Sequence, residues 1–305
     1  MSTWPPRRIL VPLDFSPPSQ VALAYAVRVA SEFDASLHVL HAGTPIPVVP
    51  VGVGVPATTL AAADHMTELL RERERVGREH MLAEVLPFAD DHDVSLHWWD
   101  GEAAEAIIHF AESKDADLVV MGTHGRSGVA RALMGSVAER TLRMCERPLL
   151  LVRSGPDTAA PTFPPARIVT PTDFSDAAES GVEVARDLAS RFGATLELVH
   201  SLPLVSGAPF GFDFGGEGIA GLVGDLLEAE ATNLRDAGAE VTTHLVDAPG
   251  ATAIARVAEE RGADLVVIAS HGRGGVKRLV LGSVAEHTAR IAPCPVLVVR
   301  RRPED

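Results

Sequence analysis

A chain of 305 residues with 46% hydrophobic and 22% charged side chains has the composition of a folded globular protein and the length for about two domains of ~150 residues each. Its net charge of −14 argues against a general nucleic-acid binder and against a partner of anionic membrane surfaces. Two cysteines, Cys145 and Cys294, argue against a disulfide framework or a cysteine-held zinc, and they suit a reducing, cytoplasmic setting.

The opening "MSTWPPRRILVPLD" lacks the apolar core of a signal peptide and leads into a short apolar run, "RILVPLD", that reads as a buried strand. Next, "SQVALAYAVRVASEF" puts Ala22, Tyr25, Ala26, Val29, Ala30 and Phe33 on one helical face. Strand "SLHVLH" follows, and then "IPVVPVGVGVP", whose prolines and glycines forbid a membrane-spanning helix. A helix over roughly 64–90, strand "SLHWW", a helix near 103–113, strand "DLVVMG", a helix over 136–146 and strand "PLLLVR" complete the unit.

After a proline-rich stretch at 154–166, the pattern begins again. "ARIVTPTDFS" repeats the frame of "RRILVPLDFS", and "ADLVVIASHGRGG", "GSVAE" and "PVLVVR" repeat "ADLVVMGTHGRSG", "GSVAE" and "PLLLVR". The chain is therefore read as two tandem α/β domains, 1–153 and 167–305, joined by a linker over 154–166. Apolar strands alternating with helices imply doubly wound parallel sheets with helices on both faces. Ligands in such sheets bind beyond the carboxyl ends of the strands, where the strand order switches.

Just there lies a motif G-x2-G-x9-G-S, made of Gly122, Gly125, Gly135 and Ser136. Glycines let a backbone approach a ligand closely, and amides at a helix start favour phosphate. The second copy reads Ala269, Gly272, Gly282 and Ser283. No Gly-Lys-Ser/Thr is present, and the first strand ends without glycine, so neither a Walker loop nor a dinucleotide fingerprint fits. Ser136 with Glu139, and Ser283 with Glu286, have the spacing of capping boxes. Asp14 and Asp173 follow a strand and suit either a turn or a ligand contact, while Ser16 and Ser175 suit helix caps. His124 and His271 fit backbone-bonded loop positions, Arg126 and Arg273 could pair with phosphate, and His41 and His200 read as structural. The histidines show no metal-ligand spacing, and no nucleophile–base pair is readable.

The combination "VPLDFS", "LHVLHA", "DLVVMGTHGRSG…GSVAE" and "PLLLVR" resembles the universal stress protein family in its tandem form. The resemblance implies five-stranded sheets of order 3-2-1-4-5 and, in members with the glycine motif, ATP binding with Mg2+ able to travel on the phosphates. It implies a nucleotide site of Pro12, Leu13, Asp14, Ala42, Gly122, His124, Gly125, Arg126, Gly135, Ser136 and Val137. The second site would use Pro171, Thr172, Asp173, Ser201, Ala269, His271, Gly272, Arg273, Gly282, Ser283 and Val284. It implies pairing of the halves through their last strands, which would otherwise be exposed edges, and a homodimer as a further state. A stress-response regulator switched by nucleotide is the leading expectation; a slow ATPase or phosphotransferase and a nucleotide-free assembly module are the alternatives. Because the second copy keeps every other element around Ala269, Gly122 is expected to serve ligand approach or a positive φ. The second site is then expected to be roughly ten-fold weaker.

Overall fold

The structure, a computed structural model, describes residues 4–43, 57–88, 92–123, 134–153, 162–203, 216–271 and 281–300. The first half runs β1 (Arg8–Pro12), α1 (Pro17–Phe33), β2 (Ser36–Gly43), α2 (Ala57–Val85), β3 (Val94–Asp100), α3 (Ala103–Ser113), β4 (Leu118–Gly122), α4 (Ser136–Met144) and β5 (Leu149–Val152). The second repeats it as β6 (Arg167–Pro171), α5 (Asp176–Phe192), β7 (Thr195–Ser201), α6 (Gly216–Asp236), β8 (Glu240–Val246), α7 (Gly250–Arg261), β9 (Leu265–Ala269), α8 (Ser283–Ile291) and β10 (Val296–Val299).

All ten strands form one sheet in the order β3-β2-β1-β4-β5-β10-β9-β6-β7-β8, which is 3-2-1-4-5 in each half. Pairing is parallel within the halves and antiparallel at the seam, where Leu150 of β5 faces Leu297 of β10. The central strands read as unbroken apolar runs because helices cover both faces: Ile9, Leu10 and Val11 are all fully buried. Ile9 and Val11 join the layer under α1 and α5, while Leu10 joins the layer under α3, α4, α7 and α8. Each layer contains residues of both halves, so the core is continuous across the seam.

Three sets of contacts close that seam. Arg153, just after β5, donates to the Arg290 and Ala292 carbonyls at the end of α8 at 3.2 and 2.9 Å. Arg300, just after β10, donates reciprocally to the Leu142 carbonyl of α4. On the same face Arg143 meets Glu286 at 2.8 Å and Arg290 meets Glu139 at 3.1 Å. On the other face Phe163 is buried against Tyr25 and Phe192, with ring centroids 5.7 and 5.4 Å apart. The proline-rich stretch is thus a connector only in part; its end plugs the gap between α1 and α5. Among the described residues no helix is long and apolar enough to cross a membrane.

Candidate functional site

β1 and β4 are neighbours at the switch in strand order, and the chain leaves their carboxyl ends in different directions. The opening holds a cavity of about 350 Å3. Its wall brings together Pro12 at the end of β1, Leu13 and Asp14 after it, Ala42 on β2, Gly122 on β4, and Gly135, Ser136 and Val137 at the start of α4. The matching place in the second half holds about 770 Å3, walled by Pro171, Thr172, Asp173, Ser201, Ala269, His271, Gly282, Ser283 and Val284. His124, Gly125, Arg126, Gly272 and Arg273 lie outside the described residues. The larger cavity is in the second half.

The capping boxes do not form. Gly135 and Gly282, at φ −65° and −64°, take the N-cap positions, and neither helix has a side-chain cap bond. The Gly135 amide donates to the Thr123 carbonyl and the Gly282 amide to Ser270, both at 2.8 Å, so the turn closes one residue earlier than a serine cap requires. Ser136 and Ser283 become the first helical residues, while Glu139 and Glu286 turn to the seam arginines. The first intrahelical bond is donated by Glu139 to Gly135. The preceding helical amides, those of Ser136, Val137 and Ala138, have no intrahelical acceptor by geometry, and all three residues line the cavity. This is a place for an anion.

The opposite wall is a strained turn. Asp14 Oδ1 accepts from the Ser16 amide at 3.0 Å and from its hydroxyl at 2.5 Å, and Asp173 does the same for Ser175 at 3.1 and 2.5 Å. Between them Phe15 and Phe174 sit in left-handed backbone at φ 63° and 61°. Each phenyl packs on a histidine, Phe15 on His41 and Phe174 on His200, at 4.8 and 4.6 Å. Those histidines donate from Nδ1 to the Leu13 and Thr172 carbonyls at 2.7 and 2.8 Å, which is the structural role read from sequence. Ser16 and Ser175 cap α1 and α5 as expected. Asp14 and Asp173 are turn formers and cavity walls at once. Ser201 donates to the Ala248 carbonyl at 2.5 Å, and the His271 ring bonds the Ser270 hydroxyl at 2.9 Å.

The reason for Gly122 has to be corrected. It is not among the described glycines with positive φ. A methyl group placed on it would stand 2.9 Å from the Pro18 carbonyl oxygen and 3.0 Å from the carbonyl carbon, both in the first turn of α1. Positive φ is not the reason; packing of helix on strand is by itself enough to demand glycine here. The sequence also missed wall residues on the neighbouring helices: Ala103 and Ile107 of α3, Gly250 and Ile254 of α7, and Ser19 of α1. A small residue opening a helix, with an apolar one four later, was the available signal.

Of the carboxylates, only Asp14 lines the described wall of the first cavity and only Asp173 that of the second, and each already accepts two hydrogen bonds from its serine. Among the described residues no group of three or more metal-ligating side chains forms. The described donor set fits an anion held by main-chain amides.

A family model described as "Universal stress protein family" matches residues 6–153 and again 165–300. A universal stress protein of Methanocaldococcus jannaschii is 38% identical over 149 residues, covering 48% of this chain and 82% of its own. One of Mycolicibacterium smegmatis is 29% identical over 298 residues, covering 96% of this chain and 97% of its own. The crystal structure of a universal stress protein from Archaeoglobus fulgidus superposes with a TM-score of 0.68 at 22% identity, covering 99% of this chain and all of that one, a likeness of fold.

Proposed function

The chain belongs to the universal stress protein family in its two-domain form, and on that footing we propose that it is a stress-response regulator that binds ATP in both cavities. The observation that carries this reading is the pair of helix starts, α4 and α8, which line the cavities and lack side-chain caps. Phosphate oxygens would accept from those amides, with the dipoles of the helices adding attraction. The apolar walls, among them Leu40 and Ile107 in the first half and Val199 and Ile254 in the second, suit the flat face of a base. Mg2+ would arrive on the phosphates. The wall carboxylates are engaged by Ser16 and Ser175, which makes either a poor general base and favours binding over turnover. Occupancy would then bias conformation or partner binding.

Titration calorimetry on the purified chain, with mass analysis of any nucleotide carried through purification, tests this directly. Gly125→Val puts a branched side chain in the first glycine loop and is expected to weaken one ATP site at least about ten-fold. Arg256→Ala, an exposed helix position paired with Glu260, is expected to leave affinity unchanged. Unaltered binding in Gly125→Val would remove the site.

A further inference from the structure

The two halves solve one packing problem in opposite ways. Aligning the two D-F-S turns puts Pro18 over Ala177 and Ala22 over Gly181; aligning the glycine motifs puts Gly122 over Ala269. In the first half the strand end is glycine, and the first turn of α1 lies on it through Pro18. One helical turn on, Ala22 is fully buried. In the second half the strand end is Ala269, and the glycine has moved to the helix. A methyl on Gly181 would stand 2.8 Å from the Ala269 amide nitrogen and 3.3 Å from the Ile268 carbonyl carbon. Each half thus spends a single glycine at this crossing, on the strand in one and on the helix in the other.

We infer that this exchange sets how the helix after the D-F-S turn is seated, and through that seat how wide the cavity opens. With glycine on the strand, the first turn of α1 drops onto the strand end, while Ser19 lines the first cavity just as its counterpart Ala178 lines the second. With alanine there, the close contact moves one turn along the helix to Gly181, which lies against the Ala269 backbone. The cavity under α5 is more than twice the one under α1. Smaller wall side chains contribute, since Thr172, Val199 and Gly250 stand where the first half has Leu13, Leu40 and Ala103. Each removes about one methyl-sized group, together roughly 100 Å3 at ~30 Å3 apiece, so they account for part of the difference and leave room for the seat. Gly122 with Ala22, and Ala269 with Gly181, are therefore positioning pairs that act on the ligand through the helix. The ligand side of this inference rests on the nucleotide reading above; the packing side does not.

A swap within the first half tests both sides. Gly122→Ala alone is expected to lower Tm by about 5 °C through overpacking, and adding Ala22→Gly should recover most of that loss. In the second half Gly181→Ala should destabilise in the same way, with Ala269→Gly as its rescue. Strictly additive effects in both cycles would overturn the seating. For the ligand side, a chain carrying Gly272→Val in the second glycine loop is titrated with ATP and with ATP bearing a fluorescent aromatic ester on its ribose. Introducing Gly122→Ala with Ala22→Gly should raise the preference for the bulky ester over plain ATP by about ten-fold at the first site. A recovered fold with unchanged preference would overturn the link to cavity width. If the unmodified chain bound no ATP at all, the nucleotide reading alone would fall. The crystal structure of the double variant would then decide the seat: a first turn of α1 lifted off residue 122 supports it, and an unmoved one refutes it.

Discussion

At matching points of the two sheets, the halves carry different chemistry. On β2 and β3 of the first half, His38 and His97 stack with centroids 5.3 Å apart and share a 3.1 Å hydrogen bond. On β7 and β8 of the second, Glu197 is fully buried and bonds Arg167 at 2.5 Å, His244 at 2.6 Å and Arg261 at 3.1 Å. One half keeps a neutral ring pair where the other keeps an ion cluster. The D-F-S turns, by contrast, share their aspartate–serine bonds, and the starts of α4 and α8 share their glycine bonds, with Ser19 and Thr172 each adding a bond that the other half lacks. The scaffold accepts either electrostatic solution along the strands, while the rim of the cavities keeps one design.

The comparison depends on both halves sharing a sheet, so the largest effect should come from breaking the seam. Leu150→Pro with Leu297→Pro removes ladder donors and introduces rings at facing positions, at a cost of about 3 kcal/mol or more. Small-angle scattering should show an expanded particle, and calorimetry should resolve two unfolding transitions in place of one. An unexpanded particle with a single transition would mean that the arginine and phenylalanine contacts suffice without the strands.

Next in size is the ion cluster itself. Glu197→Leu leaves Arg167 and Arg261 without their buried partner and should cost the second half about 3 kcal/mol. The matching substitution His38→Leu exchanges one largely neutral group for an apolar one and should stay within ~1 kcal/mol. Chemical denaturation of the two variants measures the contrast, and equal losses would erase it.

The smallest effect is set by pH. Burial, then His38, Lys114 and Arg78, push His97 down to about 4 from its ordinary 6.5, and burial and Lys114 lower His38. Asp93 acts on His38 in the opposite sense, and Arg8 adds to the lowering. The unfolded chain takes up these protons first, so the first half loses stability as pH falls from 6.5 towards 4. The loss is ~1 kcal/mol once solvent screening of the part-exposed rings is allowed for. Burial pushes Glu197 up, but its bonds from His244, Arg167 and Arg261 outweigh that and hold it below 4.5. The second half therefore keeps this contribution until pH falls below that value. Hydrogen exchange at stepped pH should show the first half opening earlier; simultaneous opening would place the acid response elsewhere.

Much of this molecule is legible in its sequence. The repeat of "VPLDFS" and "GSVAE", the apolar runs and the exposed last strands suffice for the tandem sheets, the seam and most cavity residues, because each depends on local pattern. What stayed hidden depends on contacts between distant residues. The packing demand on Gly122 was hidden because Pro18, its neighbour across the helix–strand crossing, is far away in sequence. Ser136 looked like a cap because the Thr123 carbonyl that shifts the turn is supplied by the other end of the loop. Glu197 sits in an apolar strand that gives no hint of two arginines converging from β6 and α7.

The antiparallel seam turns the carboxyl ends of the two halves in opposite directions, so the cavities open at opposite rims of one sheet. Two identical subunits joined in this way could never differ, because any change in the gene would appear at both rims. Here each rim has its own codons. The glycine can sit on the strand at one rim and on the helix at the other, which gives a single polypeptide two mouths that can differ in what they admit.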